Sequence, residues 1–242
     1  MTCGVDDELK AVILAGGLGT RLRPYTFFAP KPMLPLGDRP LLEHILLGLK
    51  DHGFTDAVIT VSYLRRAIED YFRDGSDLGM KIEYVRSDGP MGTGGQLKTV
   101  EGRVDDRFLL VYADMYVEAD FRKLVEFHES KKGLATVLVM PYRETLKYGF
   151  LDSDDQGRLV DWREKPEFKG WINVGCYVME KRFLDYIPAG KMFGMDEAFR
   201  LAMKAGEPIY LHRSEGDFVD IGDKKSYMAA YNKYLQKLGR IL

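Results

Sequence analysis

The sequence has little cysteine and no long hydrophobic run. Its two cysteines, Cys3 and Cys176, are too few for a disulfide framework and are typical of a protein in a reducing compartment. No apolar stretch approaches the roughly 20 residues that a membrane-spanning helix needs. The acidic start, MTCGVDDELK, also lacks the apolar core of a signal peptide. We therefore expect a cytoplasmic protein with no membrane partner.

Neither sign of charge prevails in the chain. The 35 basic and 37 acidic residues give a formal net charge of −2, so nothing indicates a nucleic-acid partner. The four histidines lack the spacing of a metal site, and we assign them no chemistry. With 242 residues, 45% of them hydrophobic, the composition is that of a globular protein. We expect one domain over 1–242.

The order of hydrophobic patterns predicts an α/β fold. Val/Ile/Leu-rich strand patterns lie at 10–15, 56–62, 81–87, 108–114 and 134–142. Helical patterns lie between them at 41–53, 64–75, 94–102 and 119–133. This alternation is typical of βαβ units and a mostly parallel sheet.

The later part of the sequence is less regular and predicts an added β-rich lobe. It contains a hairpin turning at 154–157 and a strand at 171–179. A short strand is expected at 208–213. The remaining helical patterns lie at 181–187, 195–205 and 224–238.

A glycine-rich turn follows the first predicted strand, where open α/β folds bind ligands. Gly16, Gly17 and Gly19 can adopt positive φ and expose several backbone amides to one anion. The turn matches neither common phosphate motif, because the P-loop closes with Gly-Lys-Ser/Thr and this one closes with Gly19-Thr20-Arg21. The dinucleotide pattern G-x-G-x-x-G is absent too. An ordinary glycine-rich turn therefore remains an alternative.

Cations on a proline-rich arm favour a phosphate ligand. Five of the ten prolines fall within residues 24–40, and Lys31 lies between Pro30 and Pro32, which predicts an extended backbone there. Such an arm can hold Arg21 and Lys31 towards a polyphosphate. We expect both cations to contribute little to stability, as solvated loop residues do. A proline-rich surface loop with solvated cations is the alternative.

Longer motifs resemble one enzyme family. L-A-G-G-x-G-T-R-L-R-P-x-T, followed by P-K-P-M-L-P-L and P-L-L-E, resembles the signature of the sugar-1-phosphate nucleotidylyltransferases. The resemblance covers nearly the whole chain and implies a Rossmann-like, three-layer, mixed but mostly parallel sheet with a β-rich sugar-binding lobe. Residues up to about 145 would form the nucleotide half and 146–242 the sugar half. The implied reaction joins a nucleoside triphosphate to a sugar 1-phosphate and releases pyrophosphate, with Mg²⁺ as cofactor and a homodimer as one possible assembly.

The same resemblance implies roles for individual residues. Arg21 and Lys31 would be catalytic, and Asp114 and Asp220 would hold the metal. The nucleotide would contact Leu14, Ala15, Gly16, Gly17, Gly19, Thr20, Pro90, Gly92 and Thr93. The sugar phosphate would contact Gly149, Glu164, Lys165, Asn173 and Gly175. Independently of the resemblance, the apolar neighbours of Asp220 favour a ligand or ion-pair role, since an unpaired carboxylate among them would be costly.

Some features depart from the family pattern. Ala113 stands where the family commonly has glycine, and Phe218 where it commonly has tryptophan. The chain also ends without the hexapeptide repeats of some relatives, so we expect no fused acyltransferase domain.

Other functions stay open on the sequence alone. A non-catalytic regulatory or scaffold subunit would share the fold, and a phosphocholine-type cytidylyltransferase would share the glycine-rich turn. A nicotinamide oxidoreductase is disfavoured, because the second strand ends without an acidic residue for the ribose. Among nucleotides, the GTGG sequence at 92–95 is more similar to mannose- or heptose-type guanylyltransferases than to thymidylyltransferases, whose loop usually reads G-L-A.

Overall fold

The computed structural model describes residues 9–87 and 89–239, and for 237–239 it describes the backbone alone. Cys3 lies outside this part. The strands, in chain order, are β1 (Ala11–Leu14), β2 (Pro35–Leu36), β3 (Arg39–Pro40), β4 (Asp56–Val61), β5 (Lys81–Arg86), β6 (Arg107–Tyr112), β7 (Met115–Val117), β8 (Ala135–Thr145), β9 (Phe150–Ser153), β10 (Leu159–Arg163), β11 (Glu167–Glu180), β12 (Ile209–Arg213) and β13 (Phe218–Asp220). The α-helices are α1 (Leu41–Asp51), α2 (Arg65–Phe72), α3 (Gly92–Lys98), α4 (Phe121–Lys131), α5 (Met195–Lys204) and α6 (Lys224–Gly239).

A seven-stranded sheet in the order β12-β8-β11-β6-β1-β4-β5 forms the centre of the fold. β1 runs parallel to β4 and β6, β4 to β5, and β12 to β8, while β11 is antiparallel to both of its neighbours. The predicted mixed, mostly parallel sheet is confirmed. Because β11 lies between β6 and β8, the two predicted halves of the chain share one sheet.

Apolar side chains cover both faces of this sheet and make the fold three-layered. Along β1, Ala11 and Ile13 join the core beneath α1, α4 and α6, while Val12 and Leu14 join the opposite core with α3 and α5. All four side chains of β1 are buried. This two-sided burial explains why the central strands read as continuous apolar runs rather than as alternating patterns.

The predicted hairpin is confirmed. β9 and β10 pair across a turn in which the Asp154 carboxylate accepts hydrogen bonds from the backbone amides of Gln156 and Arg158, at 2.9 and 3.0 Å. Gly157 completes the turn at φ +79°. The outer parts of β8 and β11 pair with each other, from Glu167 opposite Thr145 to Trp171 opposite Pro141, and supply the rest of the β-rich lobe.

The proline-rich arm differs from its predicted extended form. It folds into short 3₁₀ turns at Thr20–Leu22, Tyr25–Phe27 and Lys31–Met33. In the last of these, Met33 donates to the carbonyl of Pro30 at 2.8 Å, and Leu34 donates to that of Lys31 at 3.1 Å. Pro32 stands early in this turn, where a missing backbone N–H costs nothing. Within the described ranges, no helix is long and apolar enough to cross a membrane.

Candidate functional site

The glycine-rich turn lies where β1 ends, between the ends of β4 and β6. The amide of Ala15 donates to the carbonyl of Thr60 at 3.0 Å, and the amide of Gly16 donates to the Gln96 side-chain oxygen at 3.1 Å. Gly19 adopts φ +60°, in the left-handed region that glycine favours. The sequence predicts that the Gly16 amide contacts the nucleotide, and in this structure a protein oxygen accepts its hydrogen bond.

Gln96 is a site residue that sequence reasoning missed. It is 8% exposed, on α3, and its side-chain oxygen also accepts a hydrogen bond from the Thr60 hydroxyl at 3.3 Å. A Cβ built on Gly16 would lie 2.7 Å from that oxygen, so the glycine is required for this contact. The sequence signal that could have identified it is an amide side chain beside apolar Leu97 in the predicted helix. Through this hydrogen bond, Gln96 links the glycine-rich turn to α3.

Lys31 is enclosed rather than solvated. Its side chain is 10% exposed, and its Nζ lies 3.2 Å from an Asp114 carboxylate oxygen. A Cβ on Gly19 would lie 3.4 Å from that of Lys31, so the lysine packs against the glycine-rich turn. Arg21, in contrast, is exposed as expected. Thr20 and Arg21 both belong to the short turn that follows Gly19.

The two aspartates predicted to bind metal are neighbours. β7 follows Asp114 directly and pairs with β13, in which Asp220 lies opposite Met115. The amide of Ile221 donates to the backbone carbonyl of Asp114 at 3.4 Å. The two residues thus meet through a separate two-stranded ribbon, not as ends of adjacent strands of the main sheet.

Asp220 differs from its expected environment. It is exposed, and one carboxylate oxygen accepts a hydrogen bond from the amide of Gly222 at 2.6 Å. The following residue, Ile221, is 1% exposed. The argument from costly burial among apolar neighbours was therefore wrong, because these neighbours face the core while the carboxylate faces solvent.

The predicted nucleotide contacts Pro90, Gly92 and Thr93 lie at the start of α3. Gly92, at φ +68°, could not carry a Cβ, because the atom would lie 2.4 Å from the carbonyl oxygen of Phe193. The Thr93 hydroxyl accepts a hydrogen bond from the amide of Met195 at 3.1 Å. Packing against residues 191–194 thus accounts for the glycines of GTGG. Pro90 lies just before this helix and is exposed.

The predicted sugar-binding residues fall into two groups. In the hairpin region, a Cβ on Gly149 would lie 3.0 Å from both the Glu164 carboxylate and the Trp162 indole nitrogen. That nitrogen donates to Glu164 at 3.2 Å. Lys165 follows with a positive φ of +43° and is exposed. Gly149 and Glu164 are therefore in contact.

The second group lies at an irregularity of β11, whose register against β8 shifts between Asn173 and Tyr177. The Asn173 amide accepts from the backbone N–H of Gly175 at 2.9 Å and donates to the Tyr177 hydroxyl at 2.5 Å. Gly175 has φ +70°, and a Cβ there would lie 3.0 Å from the ring of Tyr112. Burial raises the pKa of Tyr112 well above its usual range. Sequence reasoning identified Asn173 and Gly175 but missed both tyrosines.

Comparisons with known proteins identify the family of this chain. A family model described as nucleotidyl transferase matches residues 10–237. A UTP–glucose-1-phosphate uridylyltransferase from Synechocystis is 34% identical over 95% of the chain, and a mannose-1-phosphate guanylyltransferase from Mycobacterium tuberculosis is 34% identical over 91%. The chain spans 64% and 63% of these two relatives, just under two thirds of their length.

Solved structures share the fold. HddC from Yersinia pseudotuberculosis superposes with a TM-score of 0.74 at 28% identity, covering 94% of this chain and 100% of that one. A second HddC structure, complexed with GMP-PN, gives a TM-score of 0.74 at 27% identity with the same coverage of both chains.

Proposed function

Because the chain belongs to the nucleotidyl transferase family, we propose that it transfers a nucleoside monophosphate from a nucleoside triphosphate to a sugar 1-phosphate. The products are an NDP-sugar and pyrophosphate. The observation that carries the proposal is the position of Lys31, which packs against Gly19 of the glycine-rich turn and pairs with Asp114 at 3.2 Å. A buried cation beside backbone amides suits a polyphosphate.

Electrostatic repulsion is the main barrier to this reaction. The phosphate oxygen of the sugar is already an anion, so the attack needs no general base. Two unit charges about 4 Å apart repel by roughly 4 kcal/mol at an effective dielectric near 20, and the two substrates bring several such pairs together. Lys31 would neutralise charge between the attacking and leaving groups, and Arg21 charge on the departing pyrophosphate.

The aspartate pair fits a magnesium ion. Asp114 and Asp220 supply hard oxygen ligands, and Mg²⁺ usually takes only one or two protein carboxylates beside substrate phosphates and water. Among the described residues, no group of three or more His, Cys, Asp or Glu side chains could hold a metal ion. When bound, Mg²⁺ would supply positive charge against the α-phosphate. Asp114, whose carboxylate lies 3.2 Å from the Lys31 ammonium, would hold the ion together with Asp220.

The β-rich lobe would hold the sugar phosphate. Glu164, whose carboxylate accepts the indole N–H of Trp162 at 3.2 Å, would accept hydrogen bonds from sugar hydroxyls. Lys165 is exposed and would pair with the sugar phosphate. The remaining hydrogen-bonding capacity of the Asn173 amide would also serve hydroxyls.

We propose GTP as the nucleotide and a mannose- or heptose-type sugar 1-phosphate as the acceptor. The GTGG sequence at the start of α3 supports this choice. So do the names of relatives, which include mannose-1-phosphate guanylyltransferases, and the GMP-PN complex of HddC. The uridylyltransferase at 34% identity makes UTP with glucose 1-phosphate the second candidate.

A pyrophosphate-release screen tests the proposal. ATP, CTP, GTP, UTP and dTTP are each incubated with mannose, glucose and heptose 1-phosphates in the presence of Mg²⁺, and phosphocholine serves as a non-sugar acceptor. We expect the fastest release with GTP and a mannose- or heptose-type acceptor. Triphosphate binding without turnover on any acceptor would favour a regulatory subunit, and release with CTP and phosphocholine would favour a cytidylyltransferase.

A further inference from the structure

The hairpin of β9 and β10 has one face that its own side chains occupy. The guanidinium carbon of Arg163 lies 5.0 Å from the centre of the Phe150 ring. The same guanidinium pairs with the carboxylates of Asp152 at 2.6 Å and Asp161 at 3.0 Å. Because successive side chains of a strand point to opposite faces, Trp162 lies on the other face of the hairpin.

On that other face, Trp162 holds a carboxylate in place. Its indole N–H donates to the Glu164 carboxylate at 3.2 Å, although the residue is 61% exposed. A Cβ on Gly149 would lie 3.0 Å from both the indole nitrogen and that carboxylate, so the missing side chain lets both groups lie against the backbone. Trp162 thus places a large open ring beside a carboxylate that can accept further hydrogen bonds.

The second tryptophan of the chain has a different environment. Trp171 lies on β11, and the guanidinium carbon of Arg213 stands 4.9 Å from the centre of its ring. A cation at this distance is attracted to the ring face, as in other cation–π pairs. Trp171 therefore stacks with a partner from its own chain, and it serves as the internal comparison for Trp162.

The pair of Trp162 and Glu164 matches the chemistry of a pyranose. Such a sugar has C–H groups on the face of its ring and hydroxyl groups around its edge, so it offers apolar contact and hydrogen-bond donors at once. An exposed aromatic ring suits the first, and a carboxylate in a fixed position suits the second.

We propose that Trp162 is a sugar-binding residue of the hairpin. Its indole ring stacks on the apolar face of the acceptor sugar, and its N–H orients the Glu164 carboxylate towards the sugar hydroxyls. The ring therefore contributes affinity for any pyranose 1-phosphate, and the carboxylate contributes selectivity among hydroxyl arrangements. The inference rests on the proposed function, which supplies the sugar 1-phosphate as substrate.

Tryptophan fluorescence tests this contact without turnover. Since the chain has two tryptophans, Trp171→Phe leaves Trp162 as the only indole, and Trp162→Phe leaves Trp171. Each variant is titrated with mannose 1-phosphate, glucose 1-phosphate and inorganic phosphate, alone and with GDP present, so that a site formed after nucleotide binding is also probed. We expect at least one sugar 1-phosphate to change the emission of Trp171→Phe saturably, and none to change that of Trp162→Phe. Inorganic phosphate should change neither.

Steady-state kinetics test the same contact during turnover. Trp162→Ala should raise the KM for the sugar 1-phosphate by about tenfold, the order expected for loss of one aromatic contact, while the KM for GTP stays within about twofold of the parent value. Trp162→Phe keeps an aromatic ring and loses the N–H, so its KM for the sugar should lie between the two. Trp171→Ala is the matched control and should keep both KM values. Thermal unfolding checks that each variant is folded.

The inference is overturned if no sugar 1-phosphate changes the emission of Trp162, whether or not pyrophosphate is released. It is also overturned if inorganic phosphate gives the same change, or if Trp171→Ala raises the KM for the sugar as much as Trp162→Ala does. Failure of the proposed function looks different: a sugar 1-phosphate would change the emission of Trp162, but no acceptor would give pyrophosphate release.

Discussion

At the scale of single residues, Lys31 shows how far a local pattern can mislead. Prolines on both sides predict an extended backbone, and we expected the lysine to contribute little to stability, yet its side chain is 10% exposed and ion-paired with Asp114. The preference of a residue before proline for extended backbone is a steric bias, and here backbone hydrogen bonds of a 3₁₀ turn overcome it. The identity of the cation was predictable from the sequence, whereas its burial depends on Asp114, which is distant in the chain.

The contrast between the two cations gives a testable prediction. Lys31→Ala and Arg21→Ala should each lower the turnover rate by roughly 10²–10³-fold, the usual loss for one preorganised charge donor. Only Lys31→Ala should also lower the free energy of unfolding, by about 1–2 kcal/mol, because it removes a buried aliphatic stem.

Lys31→Met separates charge from packing. It keeps most of the stem, so its stability should lie near that of the parent while its turnover stays as low as that of Lys31→Ala. Thermal unfolding and pyrophosphate release, measured on all three variants, check this. Parent-like turnover in Lys31→Met would show that the ammonium has no catalytic role.

At the scale of elements, the sequence was informative wherever the pattern is local. The strands β1, β4, β5, β6 and β8 and the hairpin of β9 and β10 lie within a few residues of their predicted bounds. Short or irregular elements were missed. The ribbon of β7 and β13 has only three residues in each strand, and its pairing joins distant parts of the chain. Hydrophobic periodicity in one sequence does not reveal such pairing, since a strand of three residues is too short to show the alternation of apolar and polar side chains.

The irregularity of β11 gives a second prediction. Gly175→Ala should lower the free energy of unfolding by about 1–3 kcal/mol, because it combines an unfavourable positive φ with a close contact. The added Cβ would lie 3.0 Å from the ring of Tyr112.

Gly157→Ala is the matched control for this variant. Gly157 has φ +79°, and nothing lies within 4 Å of its added Cβ. Its loss of stability should therefore reflect backbone strain alone. Chemical denaturation of both variants checks this, and equal losses would show that contact with Tyr112 does not constrain position 175.

The ribbon of β7 and β13 gives a third prediction, because it brings the backbone of Asp220 close to that of Asp114. If both hold one Mg²⁺, Asp220→Asn should raise the Mg²⁺ concentration for half-maximal rate and lower the maximal rate. The double change to asparagine should cost little more than the worse single change, since residues that act as a unit are non-additive.

Rate measured against Mg²⁺ concentration for the parent, both single variants and the double tests the shared site. Asp217→Asn is the control, because this aspartate is also near β13 but pairs with Lys233 at 3.0 Å. Fully additive losses, or a parent-like Mg²⁺ dependence in Asp220→Asn, would contradict the prediction.

At the scale of the whole molecule, the sheet unites residues that the sequence presents as separate motifs. Tyr112 of β6 packs against Gly175 and Tyr177 of β11, which lie far from it in the chain. The family motifs identify many site residues because each motif is continuous in sequence. Gln96 belongs to no such motif, and Tyr112 and Tyr177 lie in motifs that assign them no role, so only the packing of the sheet reveals the contacts of these residues.

Global stability should depend on pH through His128, which is 0% exposed in the core at α4. One ring nitrogen lies 2.8 Å from the Thr136 hydroxyl and the other 3.0 Å from the Glu180 carboxylate. Burial lowers the pKa of His128 below its ordinary value, outweighing the opposing effect of Glu180, and the positive charge of Arg107 acts in the same direction as burial.

The sign follows from proton binding in the two states. Below a pH of about 6.5 the unfolded chain protonates this histidine while the folded protein resists protonation, so the unfolded state binds more protons. The free energy of unfolding should therefore fall as the pH drops from 7 towards 5.5, with a slope of at most about 1.4 kcal/mol per pH unit from one group. His212 also has a pKa lowered mainly by burial and adds to the effect in the same direction.

Urea denaturation across this pH range, on the parent, His128→Gln and His212→Gln, separates the two contributions. His128→Gln removes the titrating group and keeps a side chain that can hydrogen bond to Thr136 and Glu180, so its slope between pH 7 and 5.5 should be shallower than that of the parent. Carboxylates with lowered pKa values, such as Glu180, act below this window because the unfolded reference for Glu is about 4.3. An unchanged slope in His128→Gln would show that His128 is protonated equally in both states, and the acid loss of stability would then belong to other groups.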